Sequence, residues 1–300
     1  MVAGGADTNH ASFATGEGAG AATAGHGRAT EHGGDDHSAA PSLVARTLGA
    51  AGGIATGVLL GAISAARRAK AVHPHGESYV AELSVLGAAT APAGSLLLRT
   101  AGVHRAIVRF SRSLGLPRPL PDLLGMSIRV LDAYGSGRHQ DFLLVSSADL
   151  PVLHHVFLPA ADTQQRPYTS SLPYRSGGTL FVVGALPDER SPRPDGDDEF
   201  HRLRAAAATG QLRFQLAVAS IMGTFRPVAD IRIGAPLPAT ADALRFNPWN
   251  TGGGLEPAGV LNAMRRYAYP MSQWAWRQAR RGATLQDTAE RVVAAARTSR

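Results

Sequence analysis

The feature that most constrains this 300-residue chain is a series of short strand-like runs between Glu77 and Gly234. Each run is rich in β-branched or aromatic residues and is bounded by glycine or proline turns, which is typical of short β-strands. The runs are residues 78–85, 104–111, 125–132, 140–147, 179–186, 211–220 and 228–234. Irregular loops separate them, so the pattern favours an antiparallel barrel or sandwich over a parallel α/β sheet.

The periodicity changes to helical after Pro257. Val260, Met264 and Tyr267 are spaced as one helix face, and residues 289–296 form another. A chain of strands followed by helices is an α+β arrangement. We therefore predict an antiparallel β-barrel over about residues 70–240, with flanking helices that close one side.

The N-terminal part divides into two segments. Residues 1–41 are mostly Gly, Ala, Thr, His and Asp, with Phe13 as the lone aromatic, which predicts a disordered tail that is dispensable for folding. Residues 42–69 are rich in Ala and Gly, and 47–66 carry no charge, a length that could span a membrane. The five glycines in 47–66 weaken that interpretation, so we favour an Ala-rich helix that associates peripherally with a membrane or packs on a partner. If the segment does span, Arg67, Arg68 and Lys70, which follow it directly, would leave the rest of the chain cytoplasmic by the positive-inside rule.

Composition excludes several classes of function. The chain has no cysteine, which rules out disulfides, Cys-ligated zinc, iron–sulfur clusters and thiol nucleophiles. Lys70 is the single lysine among 30 basic residues. Part of the net charge of +7 lies at the C-terminus, and net charge without a clustered patch does not indicate a nucleic-acid partner. No Walker loop, dinucleotide-binding glycine fingerprint or HExxH motif is present.

Three separated segments carry the informative motifs. The first is Val72-His73-Pro74-His75-Gly76. The second is Val108-Arg109-Phe110-Ser111, followed by Pro121-Asp122 and Gly125. The third contains Phe246-Asn247-Pro248-Trp249-Asn250 and Gly254-Leu255-Glu256-Pro257, then Arg265 and Tyr269-Pro270. In order and residue type, these segments resemble the haem-dependent catalase family over roughly residues 67–277.

The resemblance implies a catalase-like haem-binding barrel domain at 70–277. The helical period and the arginines after it predict a basic C-terminal helix at 278–300. It implies a b-type haem with Tyr269 as the iron ligand and His73 as the catalytic histidine on the opposite, distal side. Ser111 would lie near His73, and Val72 would contact the haem. Arg109 and Lys70 would pair with haem propionates, and the charge of Arg109 between Val108 and Phe110 invites such a buried partner.

The proximal residues fit the chemistry of a phenolate ligand. A tyrosine has a pKa near 10 in water, so it needs a cation and the iron to remain ionised. Arg265 precedes Tyr269 by four residues, which places both on one helix face and allows Arg265 to donate to the phenolate. A neutral His73 could accept a proton from a peroxide and return it to the leaving oxygen.

Several positions depart from the family. The distal asparagine is replaced by Ser146 or by Asp149, depending on whether the alignment is counted from Asp141 or from Pro151. Lys70 cannot pair bidentately as arginine does. We therefore expect a peroxidase-type oxidoreductase acting on hydrogen peroxide or on organic or lipid hydroperoxides, weak as a true catalase. The alternative is a non-enzymatic catalase-fold domain that binds haem or an apolar ligand.

Two further expectations concern partners and ligands. Catalase relatives are usually oligomers, so the resemblance suggests a homo-oligomer. His154 and His155 are adjacent, and on a strand they would face opposite ways and could not both be ligands. We interpret them as structural residues.

Overall fold

The computed structural model describes residues 75–118, 120–259 and 284–298. These residues form ten β-strands and three α-helices, with 3-10 turns at Leu153–His155 and Ala239–Ala243. The strands are β1 (His75–Val85), β2 (Gly102–Arg112), β3 (Leu124–Val130), β4 (Gln140–Ser146), β5 (Tyr168–Thr169), β6 (Tyr174–Ser176), β7 (Thr179–Pro187), β8 (Arg213–Ser220), β9 (Arg226–Pro236) and β10 (Glu256–Pro257). The helices are α1 (Leu96–Arg99), α2 (Glu199–Ala208) and α3 (Thr284–Thr298).

Eight of the described strands close into an antiparallel barrel. The ring order is β1-β2-β3-β4-β5-β7-β8-β9, and β9 pairs back onto β1. Strands β6 and β10 extend from β7 as a short side branch. Closure pairs both edges of every ring strand, which removes the exposed edges of an open sheet. The prediction of an antiparallel β-barrel with flanking helices is confirmed.

Alternation along the strands sorts side chains to the two faces of the barrel wall. Val108, Phe110 and Met126 point inward and are fully buried. The ring of Phe110 lies 5.5 Å from that of Phe214 and 6.1 Å from that of Tyr79, centroid to centroid. The barrel interior is therefore a packed aromatic and aliphatic core, and a ligand site has to lie on the outer face or at an end.

A second apolar cluster covers the outer face of β2. Ile107 of that strand packs with Leu244 and Phe246 and with Val292 and Ala296 of α3. The Arg297 guanidinium donates two hydrogen bonds to the Asp132 carboxylate, at 2.8 and 2.5 Å. The helix thus lies against the outside of the barrel. The predicted segments 1–41 and 42–69 lie outside the described residues, and the domain boundary at 277/278 stays a prediction.

One end of the barrel holds a buried ionic group. Arg112, at the end of β2, donates to Glu199 at the start of α2 at 2.8 Å and lies 3.4 Å from the Asp122 carboxylate. Asp122 also accepts the backbone N–H groups of Leu114 and Leu116, both at 3.0 Å. Asp122, part of the Pro-Asp motif, therefore organises the turn that links β2 to β3.

Candidate functional site

Arg109 and Ser111 lie on the outer face of β2, two residues apart. The strand register places Arg109 between Ser78 of β1 and Ser127 of β3. It places Ser111 between Gly76 and Gly125. The side chains beside these two residues are therefore small, and a broad group could approach this strip of the barrel wall closely.

The Arg109 guanidinium is buried and incompletely paired. Arg109 is 3% exposed, and its Nη2 donates to Oδ1 of Asp242 at 3.0 Å. Asp242 belongs to the 3-10 turn Ala239–Ala243 and is half-buried. The buried Nε of Arg109 has no hydrogen-bond partner within the part of the chain that the structure describes. A bidentate carboxylate would use Nε and Nη2 together, and Asp242 uses only Nη2.

Gly76 makes room for this guanidinium. A Cβ at position 76 would lie 2.7 Å from Cζ of Arg109 and 2.4 Å from the Phe110 carbonyl oxygen. Glycine is thus required on steric grounds, and the Arg109 side chain crosses β1 over the Gly76 backbone. The charge therefore sits at the end of β1 that continues back towards Val72 and His73.

Ser111 is buried beside this group. Its Oγ lies 3.5 Å from the carbonyl oxygen of Gly125, which is long for a hydroxyl hydrogen bond. Lys70, Val72, His73, Arg265 and Tyr269 lie outside the described residues. The pairing of Ser111 with His73 and the roles of all five residues stay predictions.

Neither candidate for the distal asparagine offers an equivalent group here. The Ser146 hydroxyl accepts from the Leu124 N–H at 3.0 Å and donates to the Leu158 carbonyl at 2.7 Å. Alternation along β4 also turns residue 146 to the face opposite Val145, which lies in register with Gly125. Asp149 is exposed on the following turn. Ser146 therefore fastens the end of β4 to its neighbours.

Sequence analysis missed an ion pair between β3 and β4 that contacts the 246–250 motif segment. Arg129 of β3 and the fully buried Asp141 of β4 are register partners, and their side chains form a bidentate pair at 2.8 and 2.7 Å. Asp141 also accepts the Asn247 N–H at 2.9 Å, and the Arg129 guanidinium lies 5.2 Å from the Phe246 ring centroid. Burial is the largest single influence on the pKa of Arg129 and lowers it, but the hydrogen bond to Asp141 and the negative charge of that carboxylate together outweigh burial and raise the pKa.

This pair holds the 246–250 segment against the outside of the barrel. The Asp141 N–H donates to the Asn250 carbonyl at 2.8 Å, which adds a backbone anchor. One charged residue at an outward position in each of two apolar runs was the available sequence signal. Their partnership depends on strand register, which composition does not reveal.

The expected orientation of His154 and His155 is wrong. They lie on the 3-10 turn Leu153–His155, not on a strand, and their ring centroids are 4.4 Å apart. A 3-10 turn has no two-residue alternation, so adjacent side chains can converge.

Two features are absent from the described residues. No helix within 75–118, 120–259 or 284–298 is long and apolar enough to cross a membrane. The segment 47–66 lies outside these ranges. The same part of the chain gathers no group of three His, Cys, Asp or Glu side chains that could hold a metal ion.

Comparison with known proteins identifies the fold. No family model and no curated protein matches this chain. Among solved structures, a bacterial catalase matches with a TM-score of 0.54 and 14% identity, covering 73% of this chain and 58% of that one. A fungal catalase gives 0.55 and 16%, covering 73% and 60%. Catalase A from Saccharomyces cerevisiae gives 0.54 and 14%, covering 72% and 62%.

These likenesses establish a catalase-like fold. The chain spans about three-fifths of the length of the catalases it matches.

Proposed function

We propose that this protein binds a b-type haem and acts as a peroxidase-type oxidoreductase on hydrogen peroxide or on organic or lipid hydroperoxides. The observation that carries the proposal is the buried Arg109 guanidinium, with an unpaired Nε, on the outer wall of a catalase-like barrel. Arg109 is the residue matched to the family's propionate-binding arginine. Its partly used Nε–Nη2 edge and the small residues beside Arg109 and Ser111 on the neighbouring strands fit a carboxylate-bearing planar group.

The residues assigned to the haem divide by role. Arg109 and Lys70 hold the propionates, and Val72 contacts the porphyrin. Tyr269 would supply the iron ligand as a phenolate, and Arg265, four residues earlier, would stabilise that anion by donating a hydrogen bond to it. When bound, haem supplies the redox chemistry that splits the peroxide O–O bond.

The distal side chains manage the proton. His73, as a neutral imidazole, would accept a proton from the peroxide and return it to the leaving oxygen. Ser111 would lie near His73 and assist in orienting it. The family's asparagine, which would position a second peroxide for dismutation, has no equivalent in Ser146. We therefore propose peroxidase chemistry with weak dismutation.

Haem reconstitution followed by spectroscopy tests the proposal. Wild-type protein mixed with haemin should develop a Soret band that peroxide perturbs, and oxygen evolution should be slow compared with peroxide-dependent oxidation of a reducing dye. Arg109→Gln should weaken haem binding about 10- to 100-fold, since a charge-assisted hydrogen bond contributes about 1.5–3 kcal/mol. Arg232→Gln, at a half-exposed arginine on β9, is the matched control.

Retained affinity in Arg109→Gln, or no Soret band in wild type, would overturn the haem assignment. The second candidate function is haem or apolar-ligand binding without turnover. The observation that favours it is the use of Ser146 to fasten β4. A Soret band that peroxide leaves unchanged would select this candidate.

We also propose a homo-oligomer, as is usual for catalase relatives, and a cytoplasmic location with membrane or partner contact through residues 47–66. Light scattering on the purified protein measures the first. Alkaline carbonate extraction of cell membranes distinguishes peripheral contact from a span.

A further inference from the structure

Two imidazole nitrogens and one carbonyl oxygen form a cluster that joins two turns, and none of its residues is assigned to the proposed haem. Nε2 of His154 and Nε2 of His155 lie 3.2 Å apart. The Ile221 carbonyl oxygen, on the turn between β8 and β9, lies 3.2 Å from the first nitrogen and 3.0 Å from the second. The three atoms therefore form a nearly equilateral triangle.

The hydrogen bond of the His155 ring indicates which of its two nitrogens carries a lone pair. Its Nδ1 lies 2.6 Å from the Ser171 carbonyl oxygen, which can only accept, so Nδ1 carries the hydrogen. In the neutral imidazole, Nε2 then carries a lone pair directed at another carbonyl oxygen. That contact is unfavourable unless a positive centre lies between the two atoms.

The size of the triangle matches a metal coordination sphere. Two ligand atoms about 2.05 Å from an ion lie about 3.3 Å apart at the tetrahedral angle and about 2.9 Å apart at a right angle. The observed edges of 3.0–3.2 Å fall between these limits. The donation from His155 Nδ1 to a backbone carbonyl is also the usual outer hydrogen bond of a metal-ligating histidine.

The surroundings hold the rings in this arrangement. His154 is fully buried, its Nδ1 has no hydrogen-bond partner in the described ranges, and the Phe225 ring lies 5.3 Å away between centroids. Gly184 admits that ring, since a Cβ there would lie 2.5 Å from it. Val152 and Ser171, which flank the histidines in space, adopt positive φ values of 68° and 55°. For a β-branched residue such as Val152 this conformation is strained.

We propose that His154, His155 and the Ile221 carbonyl bind a Zn²⁺-class divalent ion that ties the turn after β4 to the turn between β8 and β9. Imidazole nitrogen is a preferred ligand of this ion class. The set contains two side chains and one backbone oxygen, and it leaves at least one coordination position for water. The site is independent of haem.

Calorimetric titration of untagged full-length protein with ZnCl₂ at pH 7.5 tests the site. His154→Gln and His155→Gln should each weaken the strongest Zn²⁺ binding step at least about 10- to 100-fold, because even loss of an outer partner costs this much. His201→Gln removes an exposed histidine and should leave this step unchanged. Equal binding in all four proteins, loss in only one of the two turn variants, or no binding in wild type overturns the proposal.

A measurement on the wild type covers the case in which a turn variant does not fold. In long-range ¹H–¹⁵N spectra, one equivalent of Zn²⁺ should change the chemical shifts of the Nε2 nitrogens of two histidines. The Nδ1 nitrogens of the same two rings should remain protonated. A triangle held by a shared proton would show a pH-dependent shift and no response to Zn²⁺, and the ion site would then be rejected.

Discussion

Among the described residues, Arg109 has less charge compensation than Arg112 or Arg129. Arg129 meets both oxygens of the Asp141 carboxylate, whereas Arg109 meets one oxygen of the half-exposed Asp242. A buried charge with one partner removed is strongly destabilising. The haem-free protein therefore depends on Asp242 to offset a charge that, in our proposal, a propionate shares.

Asp242→Asn should destabilise the haem-free protein and increase the benefit of haem. The expected loss is about 1–2 kcal/mol, less than the roughly 3–5 kcal/mol of a fully buried pair, because Asp242 is 39% exposed. Haem should raise the melting temperature of Asp242→Asn more than that of wild type, since the propionate replaces the missing carboxylate. Differential scanning fluorimetry with and without haemin measures both effects. Asp197→Asn, at a fully exposed carboxylate, is the control, and equal haem-induced shifts in all proteins would count against propionate pairing at Arg109.

Proximal and distal substitutions should separate haem binding from rate. Tyr269→Phe should lose haem or its phenolate charge-transfer bands. His73→Ala should keep haem but slow the reaction with peroxide about 10²–10⁴-fold, the usual contribution of a positioned acid–base group. Absorption spectra and stopped-flow kinetics distinguish the two. An unchanged spectrum in Tyr269→Phe would remove the catalase-type ligand assignment.

Residue types alone could indicate that Arg109 needs a buried partner, because its neighbours Val108 and Phe110 are apolar. They could not identify the partner. Asp242 lies more than a hundred positions later, on a 3-10 turn whose placement depends on closure of the barrel. The match to a family motif led to the haem hypothesis. The structure revealed that the Asp242 carboxylate also pairs with the Arg109 guanidinium.

At the level of elements, α3 depends on a few contacts with the barrel. Val292 and Ala296 bury small apolar side chains, Arg105 donates to the Ala296 carbonyl at 3.3 Å, and Arg297 pairs with Asp132. The hydrogen bonds from Arg297 are the largest influence on the pKa of Asp132 and hold it below its usual value. Docking of α3 should therefore depend on pH.

Acidification should release α3, and Asp132→Asn should remove this pH dependence. A carboxyl with a lowered folded pKa contributes stability above its ordinary pKa near 3.9 and loses it as pH falls through the folded value. Asparagine tolerates the positive φ of 52° at this position. Hydrogen-exchange protection factors of residues 291–298, corrected for intrinsic rates, should fall between pH 5 and pH 3 in wild type and stay low and flat in the variant. A parallel decline in both proteins would show that another group controls docking.

The long strands were predictable because two-residue alternation extends over seven or more residues in each of them and because glycines or prolines mark their ends. Strands β5, β6 and β10 have two or three residues, too few for a period to emerge, and they form because neighbouring strands offer hydrogen-bond partners. The expectation that His154 and His155 face opposite ways on a strand was wrong for a related reason. Its apolar composition resembles a strand, but Leu153–His155 close 3-10 hydrogen bonds instead.

At the scale of the whole molecule, the barrel interior should unfold as one unit, because Phe110 contacts the rings of Tyr168 on β5 and Phe214 on β8, which lie three strands away from β2 in the two directions around the barrel. Phe110→Ala should cost about 3–5 kcal/mol, the range for emptying a buried aromatic site. Val103→Ala, at a position on the same strand that is 67% exposed, should cost less than about 0.5 kcal/mol. Urea unfolding followed by tryptophan fluorescence and circular dichroism measures both. A loss below about 1 kcal/mol for Phe110→Ala would indicate a loosely packed interior.

The pairing of the first strand with the last strand of the ring has a consequence for biosynthesis. Tyr79 of β1 pairs with Pro236 of β9. The ribosome therefore has to add about 160 residues after β1 before the second edge of β1 can be paired. At 5–20 residues per second this delay is about 8–30 s. During that time the nascent chain presents an apolar strand edge that can join the wrong neighbour. We therefore expect the ribosome-bound chain to need a chaperone until β9 has emerged, and stalling translation before residue 226 should produce an aggregation-prone fragment.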